Sequence, residues 1–210
     1  MKILLVDDHE IFRRGLKHLL LEEFPDASFA EAGGVPQARE LISRKEWNLV
    51  LLDINLPGGS GLDLLAELRQ SCPQTAVLVL SSYPEEEFAL RSFKLGAAGY
   101  LTKASVADET FTAVRKILSG GKYVSAVLAE RLAAALGSGG LDQAPHETLS
   151  TRELEVLRLV ATGKTVKEIA AGLSLSEKTI GTYRSRISEK LGLSTNVELA
   201  RYALKHQLVE

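Results

Sequence analysis

Across the first 120 residues, short apolar runs alternate with stretches in which apolar residues recur every three or four positions. The runs are KILLV (2–6), SFAEA (28–32), LVLL (49–52), AVLVLS (76–81) and GYLT (99–102). Aliphatic residues in unbroken succession suit strands buried on both faces, which is the condition of a parallel sheet covered by helices. The intervening stretches have helical periodicity. In the first, Ile11, Leu16, Leu19 and Leu20 are expected to face the core, with Arg13, Arg14, Lys17 and Glu22 turned away; others follow near 35–45, 61–71, 85–95 and 106–119. The pattern predicts five β-α units with short connections. Residues 121–136 continue as one more helix, and GSGGLDQAPHE (137–147) has the composition of a flexible linker.

From Thr148 the periodicity becomes purely helical. Ser150–Glu153, Thr165–Glu168 and Thr195–Glu198 have the spacing of capping boxes, and Ser176 stands where a further helix would be capped. Four helices are predicted, at about 151–162, 166–173, 177–191 and 196–206. The chain is thus expected to hold an α/β domain over 1–120, a linker with a short helix over 121–147, and a small all-α domain over 148–210.

Composition adds a division of charge. The formal net charge is −2, but the segment from Thr148 onward holds 10 basic and 7 acidic residues, against 15 and 20 before it. An acidic front and a basic tail point to different partners for the two domains. A single cysteine, Cys72, rules out an internal disulfide and fits a reducing cytosol. No apolar run reaches the roughly 18 residues of a membrane span, and MKILLVDDHE turns acidic too soon to read as a signal peptide. A cytoplasmic protein without a membrane partner is expected.

The chemistry concentrates at strand ends. In an open parallel sheet, ligands bind beyond the carboxyl ends of the strands, where strand order reverses. Strand one runs into Asp7 and Asp8, and strand three ends on Asp53. With strand order 2-1-3-4-5 these three carboxylates meet at one rim. Their repulsion is relieved most readily by a cation, and an all-oxygen site suits Mg²⁺, with Mn²⁺ as the alternative. Ser81 closes strand four and Lys103 follows strand five. A carboxylate nucleophile, a divalent cation, a hydroxyl and an ammonium are the set needed to transfer a phosphoryl group to Asp53. Taken singly, each has an ordinary reading: Asp53 or Asp7 as a turn cap, Ser81 as a strand-end hydroxyl, Lys103 as a solvated charge, Tyr100 as a half-buried strand aromatic.

In the tail, two helices flank a tight turn at Gly172-Leu173-Ser174, and the later one carries Lys178, Thr179, Thr182, Arg184, Arg186 and Lys190, with Ile180, Ile187 and Leu191 marking its buried side. Such a helix fits the DNA major groove. The same charges also suit the solvated face of an ordinary bundle.

The motifs D-D at 7–8, D-x-x-L-P-x-x-x-G at 53–61, Ser81 and G-A-x-G-Y-L-x-K at 96–103 resemble the receiver domain of two-component response regulators. L-S-x-R-E-x-E-V-L from 149, G-K-x-x-K-E-I-A from 163 and S-x-K-T-I-x-T-Y-R-x-R-I from 176 resemble the LuxR-type helix-turn-helix. Together they resemble the NarL/FixJ class of transcription factors. The resemblance implies a flavodoxin-like, doubly wound sheet followed by a four-helix DNA-binding domain. It implies a sensor histidine kinase as phosphoryl donor to Asp53, homodimerisation on activation, and double-stranded operator DNA as target. Asp8, Asp53 and the Asn55 backbone carbonyl would ligate the metal, with Asp7 acting through water. Ser81 and Tyr100 would form a switch pair, Lys103 would hold the phosphoryl group, and Asn55 and Tyr83 would tune dephosphorylation. On the DNA side, Gly181, Thr182 and Ser185 occupy base-reading positions, and Lys178, Thr179, Arg184 and Arg186 phosphate-contacting ones. The chain departs from the pattern at Ala104, where many receivers have Pro, and at Gly181, where a longer side chain is frequent. Such a protein phosphorylates and dephosphorylates itself without being a turnover enzyme. Three rivals stand beside it: a phosphohydrolase using Asp53, disfavoured because 53–57 reads DINLP; an adaptor whose tail binds protein; and a receiver that regulates without phosphate.

Overall fold

The computed structural model describes residues 1–83, 85–126, 128–130, 145–173, 175–206 and 208–209 of the 210-residue chain. Most of the linker expected over 121–147, together with much of the helix expected up to 136, lies outside the described residues, as does Ser174 of the tail turn; residues 126 and 128–130 are helical. The chain divides into two compact units, Met1–Leu141 and Asp142–Glu210.

The first unit alternates strand and helix: β1 (Lys2–Val6), α1 (Glu10–Glu23), β2 (Ser28–Ala32), α2 (Val35–Arg44), β3 (Leu49–Asp53), a short hairpin of β4 (Asn55–Leu56) and β5 (Gly59–Ser60), α3 (Gly61–Ser71), β6 (Ala76–Ser81), α4 (Glu85–Lys94), β7 (Gly99–Thr102) and α5 (Val106–Leu118). Five strands form one parallel sheet in the order β2-β1-β3-β6-β7. This is the expected 2-1-3-4-5 order once the hairpin is set aside. All five residues of the central strand β3 are buried, whereas the edge strand β2 is buried only at Ala32, as a covered centre and a wetter edge require. Residues alternate sides along each strand. Ile3, Leu5, Leu49, Leu51, Leu78 and Leu80 join Leu16 and Leu20 of α1 and Ala113, Val114 and Ile117 of α5 in one core. Their strand neighbours Leu4, Val6, Val50, Leu52, Val77 and Val79 are equally buried on the opposite face.

One local expectation needs correcting. Ile11 does not join the buried face of α1: it is 89% exposed. At about 100° per residue it stands some 140° from Leu16, in the first turn of the helix, outside the Leu16–Leu20 stripe. The Pro/Gly stretch after Asp53 folds on itself, pairing Asn55 with Ser60 and Leu56 with Gly59. Pro57 followed by Gly58 at φ 82° fits a turn that requires positive φ at its third residue.

The second unit opens with a 3-10 turn (Pro145–Thr148), so the last residues of the expected linker are structured, and continues with α6 (Thr151–Ala161), α7 (Val166–Gly172), α8 (Glu177–Leu191) and α9 (Asn196–Lys205). Three capping boxes close on Glu153, Glu168 and Glu198, and Ser176 caps α8 by accepting from Thr179 N–H. Leu154, Val156, Leu157 and Val160 of α6, Ile180 and Ile187 of α8, and Leu199 and Ala203 of α9 form the core; Leu191, expected there too, is only half-buried. Among the described residues, no helix is long and apolar enough to cross a membrane.

Candidate functional site

Parallel pairing brings the ends of β1, β3, β6 and β7 to one edge of the sheet. β1 lies between β2 and β3, so the strand order reverses beside Asp7 and Asp53. Asp7 N–H extends the ladder to the Ala32 carbonyl at 3.1 Å, and Lys103 N–H donates to the Ser81 carbonyl at 2.7 Å. The backbone itself therefore fixes where each side chain starts. Gly61 completes the frame. Its N–H donates to the Ile54 carbonyl at 2.8 Å, and a Cβ there would fall 2.0 Å from the Asp53 carbonyl oxygen, so the return from the hairpin to α3 passes against the backbone that carries Asp53.

Asp7 and Asp53 are both 3% exposed. Lys103 Nζ lies between them, 2.8 Å from Asp53 Oδ2 and 2.5 Å from Asp7 Oδ2. It donates a hydrogen bond to Asp53 and forms a close ion pair with Asp7. Although Ala104 stands in place of the family's Pro, Lys103 reaches the acids. Burial pushes the Asp53 carboxyl above its ordinary range, and the Lys103 ammonium with its hydrogen bond offsets only part of this. Burial works against the Lys103 charge, but hydrogen bonding and charge from the two carboxylates outweigh it and push the ammonium above the usual lysine range. Asp8 and His9 are exposed, and ligating atoms of Asp7, Asp8, His9 and Asp53 lie within 4.8 Å of one another. Three carboxylates at this spacing are a donor set that fits a hard divalent cation.

Asn55 donates its backbone N–H to Asp53 Oδ1 at 3.3 Å, while its own side-chain Oδ1 is buried without a hydrogen bond. Ser81 is fully buried, and its Oγ accepts from Tyr83 N–H at 3.1 Å. The Tyr100 ring is 1% exposed, and its hydroxyl donates to the Tyr83 carbonyl at 3.1 Å. The two residues expected to act as a pair are thus joined through the backbone of a third. The Tyr83 ring is half-buried and packs on Phe88 at 4.8 Å between centroids.

Sequence reasoning missed three neighbours. Arg13 donates to the Asp7 carbonyl, Phe12 lies under Lys103 with Nζ 4.8 Å from the ring centroid, and His9 turns onto Asp7 and Asp8. Arg13 repeats the helical spacing from His9, four residues earlier, which was the only available signal.

In the second unit, Lys178, Gly181, Thr182, Ser185 and Arg186 are exposed along α8. Lys178, Thr179, Thr182, Tyr183 and Arg186 line an open depression of about 320 Å³. Thr182 Oγ1 donates to the Lys178 carbonyl, Ser185 Oγ to the Gly181 carbonyl, and Thr179 Oγ1 shares a hydrogen bond with Ser176. Gly181 faces open space: nothing lies within 4 Å of an added Cβ. Arg184 is not brought to that depression. It is half-buried and donates to Asn196 Oδ1 on α9 at 2.5 Å. Lys190 is turned away as well, onto Glu153 Oε2 at 2.6 Å and the Thr148 carbonyl at 3.1 Å.

Residues 3–115 match the response regulator receiver domain family, and residues 147–203 match the family of bacterial regulatory proteins of the luxR type. Similar proteins include the response regulator GacA of Pseudomonas aeruginosa, 35% identical with 100% of this chain and 98% of that one covered, and the response regulator UvrY of Escherichia coli K12, 31% identical with 99% and 95% covered. Among solved structures, RcsB of Salmonella enterica serovar Typhimurium bound to the promoter P1flhDC in the presence of the phosphomimetic BeF3⁻ is 25% identical, with 96% of this chain and 97% of that one covered at a TM-score of 0.59. A LuxR-family two-component response regulator from Aurantimonas is 33% identical, with 63% and 95% covered at a TM-score of 0.57. With both families matched in order and relatives aligned along its whole length, the chain belongs to the NarL/FixJ response regulators and is a transcriptional regulator built from a receiver domain and a LuxR-type DNA-binding domain.

Proposed function

We propose that Asp53 accepts a phosphoryl group from a sensor histidine kinase in a divalent-cation-dependent step, and that the modified receiver promotes homodimerisation and operator binding through α8. The observation that carries this reading is the position of Asp53: a carboxylate 3% exposed at the end of the central strand, with a lysine ammonium on one oxygen. In the transfer, an Asp53 carboxylate oxygen forms the new bond to phosphorus. The bond from phosphorus to the kinase histidine nitrogen breaks, and its electron pair returns to the imidazole, which takes up a proton. Asp7, Asp8, Asp53 and the Asn55 carbonyl are the residues that would hold Mg²⁺, or Mn²⁺ in its place. When bound, the cation neutralises charge on the transferring group. Lys103 exchanges its bond to Asp53 for one to a phosphoryl oxygen. Ser81 then donates to the phosphoryl group, which releases Tyr83 N–H, and Tyr83 in turn carries the change to Tyr100. Asn55 and Tyr83 set the access of water and hence the lifetime of the acyl phosphate. The protein modifies itself and is not a turnover enzyme. Its site of action is the cytoplasm.

On the DNA side, Lys178, Thr179 and Arg186 serve the phosphates and Thr182, Ser185 and the Gly181 backbone face the bases, with Arg184 joining the phosphate contacts only after leaving Asn196. RcsB, whose structure holds a promoter and a phosphomimetic, supports this reading for a related chain. The test is intact-mass and sizing measurement after incubation with acetyl phosphate and Mg²⁺. Wild type gains one phosphoryl group and shifts toward dimer, and Asp53→Asn gains none. An unmodified wild type, or equal labelling of the variant, overturns the assignment.

A further inference from the structure

The chain does not leave the receiver where α5 ends. Tyr123 N–H donates to the Ala98 carbonyl at 2.8 Å, and Tyr123 pairs with Gly99 as a parallel bridge, so the segment after α5 lies along the outer edge of β7. A side chain at position 99 would prevent this: a Cβ on Gly99 would stand 3.2 Å from the Tyr123 Cβ and 2.9 Å from Ile117 Cδ1. Two hydroxyls then tie the segment to α4 and α5, the helices packed on β7. The Tyr123 hydroxyl donates to Glu109 Oε2 of α5 at 2.5 Å, and Ser125 Oγ donates to Oε2 of Glu85, the first residue of α4. Burial and the carboxylates of Glu109 and Glu85 push the Tyr123 phenol up to about 12, which keeps its proton available to Glu109. The Ser125 hydroxyl has a second bond. It accepts Leu128 N–H at 3.1 Å and so caps the helical residues that follow, where Leu128 is buried.

Glu85 stands two residues after Tyr83, whose N–H is held by Ser81 Oγ and whose ring packs on Phe88 of α4. The hydroxyl assigned to a phosphoryl group on Asp53 is thus bonded to the residue that leads into α4. The first residue of α4 is in turn bonded to the cap of the segment leaving the receiver. Resting on the phosphoacceptor reading above, we propose that the Ser125–Glu85 hydrogen bond is a latch that holds this segment against β7, and that a phosphoryl group on Asp53 opens it. When Ser81 releases Tyr83 N–H, the start of α4 shifts and Glu85 withdraws from Ser125. The segment loses one of its two hydroxyl ties and loosens from the sheet edge. A change of a few atoms at the acidic rim becomes freedom in the chain that leads toward the second unit.

The experiment uses the full chain, with Mg²⁺ and beryllium fluoride as a stable mimic of the phosphoryl group, and follows hydrogen exchange of the Tyr123 amide by NMR. That amide bonds to Ala98 rather than to Ser125, so its rate reports the segment and not the substituted side chain. In wild type, beryllium fluoride speeds the exchange about tenfold, the equivalent of one hydrogen bond to a charged group. Ser125→Ala exchanges at the raised rate from the outset, and beryllium fluoride adds less than about twofold. Ser125→Thr, which keeps the hydroxyl, follows wild type. Because coupling is reciprocal in free energy, Ser125→Ala also binds beryllium fluoride about tenfold more tightly. An unchanged Tyr123 rate in wild type that has bound beryllium fluoride, or a full response surviving in Ser125→Ala, overturns the latch and leaves the phosphoacceptor reading standing. Failure of wild type to bind beryllium fluoride in Mg²⁺ overturns that reading and the latch with it.

Discussion

Lys103 is the residue on which the acidic rim depends in the metal-free chain. Two carboxylates, each 4% exposed in the side chain, share its ammonium, which is itself only 14% exposed. Removing one partner of a buried ion pair leaves uncompensated charge, at a cost of about 3–5 kcal/mol. In Lys103→Met the two acids would face one another, so the receiver is expected to lose about 3 kcal/mol in urea unfolding without divalent ions. Millimolar Mg²⁺ should recover much of that loss by supplying the missing charge. An unchanged urea midpoint would show that the ammonium neutralises nothing, and a loss indifferent to Mg²⁺ would show that the acids hold no cation. At this scale the sequence was readable where chemistry follows strand ends: Asp7, Asp53, Ser81 and Lys103 all stand where a hydrophobic run stops. Phe12, Arg13 and the Ser81–Tyr83–Tyr100 chain were not readable. Their roles depend on which side chain is within reach after folding, and Tyr83 acts through backbone atoms that its identity does not disclose.

Helices and strands were legible for a different reason. The caps are local, so Ser150, Thr165, Ser176 and Thr195 mark the four tail helices within a few residues. The β4–β5 hairpin escaped because strands of two residues have no period. Ile11 was misplaced because an apolar residue in a first turn can overhang the core. One capping residue also does something its motif does not announce. Glu153 closes the α6 box by accepting from Ser150 N–H at 2.6 Å, and it holds Lys190 of α8, 37 residues away. Burial alone would push its carboxyl up; the Lys190 ammonium and the Ser150 hydrogen bonds outweigh burial and hold it below the usual range. A depressed folded-state pKa contributes stability above the unfolded value, and that stability is lost as pH falls through the folded one. Lys190 is 37% exposed, so water screens its share. Glu153→Gln is expected to cost about 1–2 kcal/mol at pH 7, mostly through the cap and its buried hydrogen bonds. Thermal unfolding of the second unit across pH should show the gap to wild type closing as the pH falls through and below the ordinary glutamate range. A constant gap would mean that the carboxylate charge contributes nothing.

At the scale of the whole molecule, each unit has its own apolar core and its own proposed ligand class. The parallel sheet gathers acids at one edge, where the cation and phosphoryl group are proposed to bind, and the tail exposes Lys178 and Arg186, the side chains proposed to meet DNA phosphates. Binding stabilises the unit that contains the site by an amount fixed by ligand concentration over Kd, about 2.7 kcal/mol at a hundredfold excess. Calorimetry of the full chain should therefore resolve two transitions. Mg²⁺ at a hundredfold excess over its Kd should raise the receiver transition by on the order of 10 °C and leave the other in place. Duplex DNA should do the reverse, and its effect should fade with salt as counterion release weakens. Phosphorylation is the condition expected to break this independence: if the receiver drives the tail, acetyl phosphate with Mg²⁺ should enlarge the shift that a fixed concentration of DNA produces in the tail transition, because coupling between sites is reciprocal in free energy. A DNA-induced shift of the same size with and without acetyl phosphate, in a chain shown by mass to carry phosphate on Asp53, would mean that the two units bind their ligands without coupling.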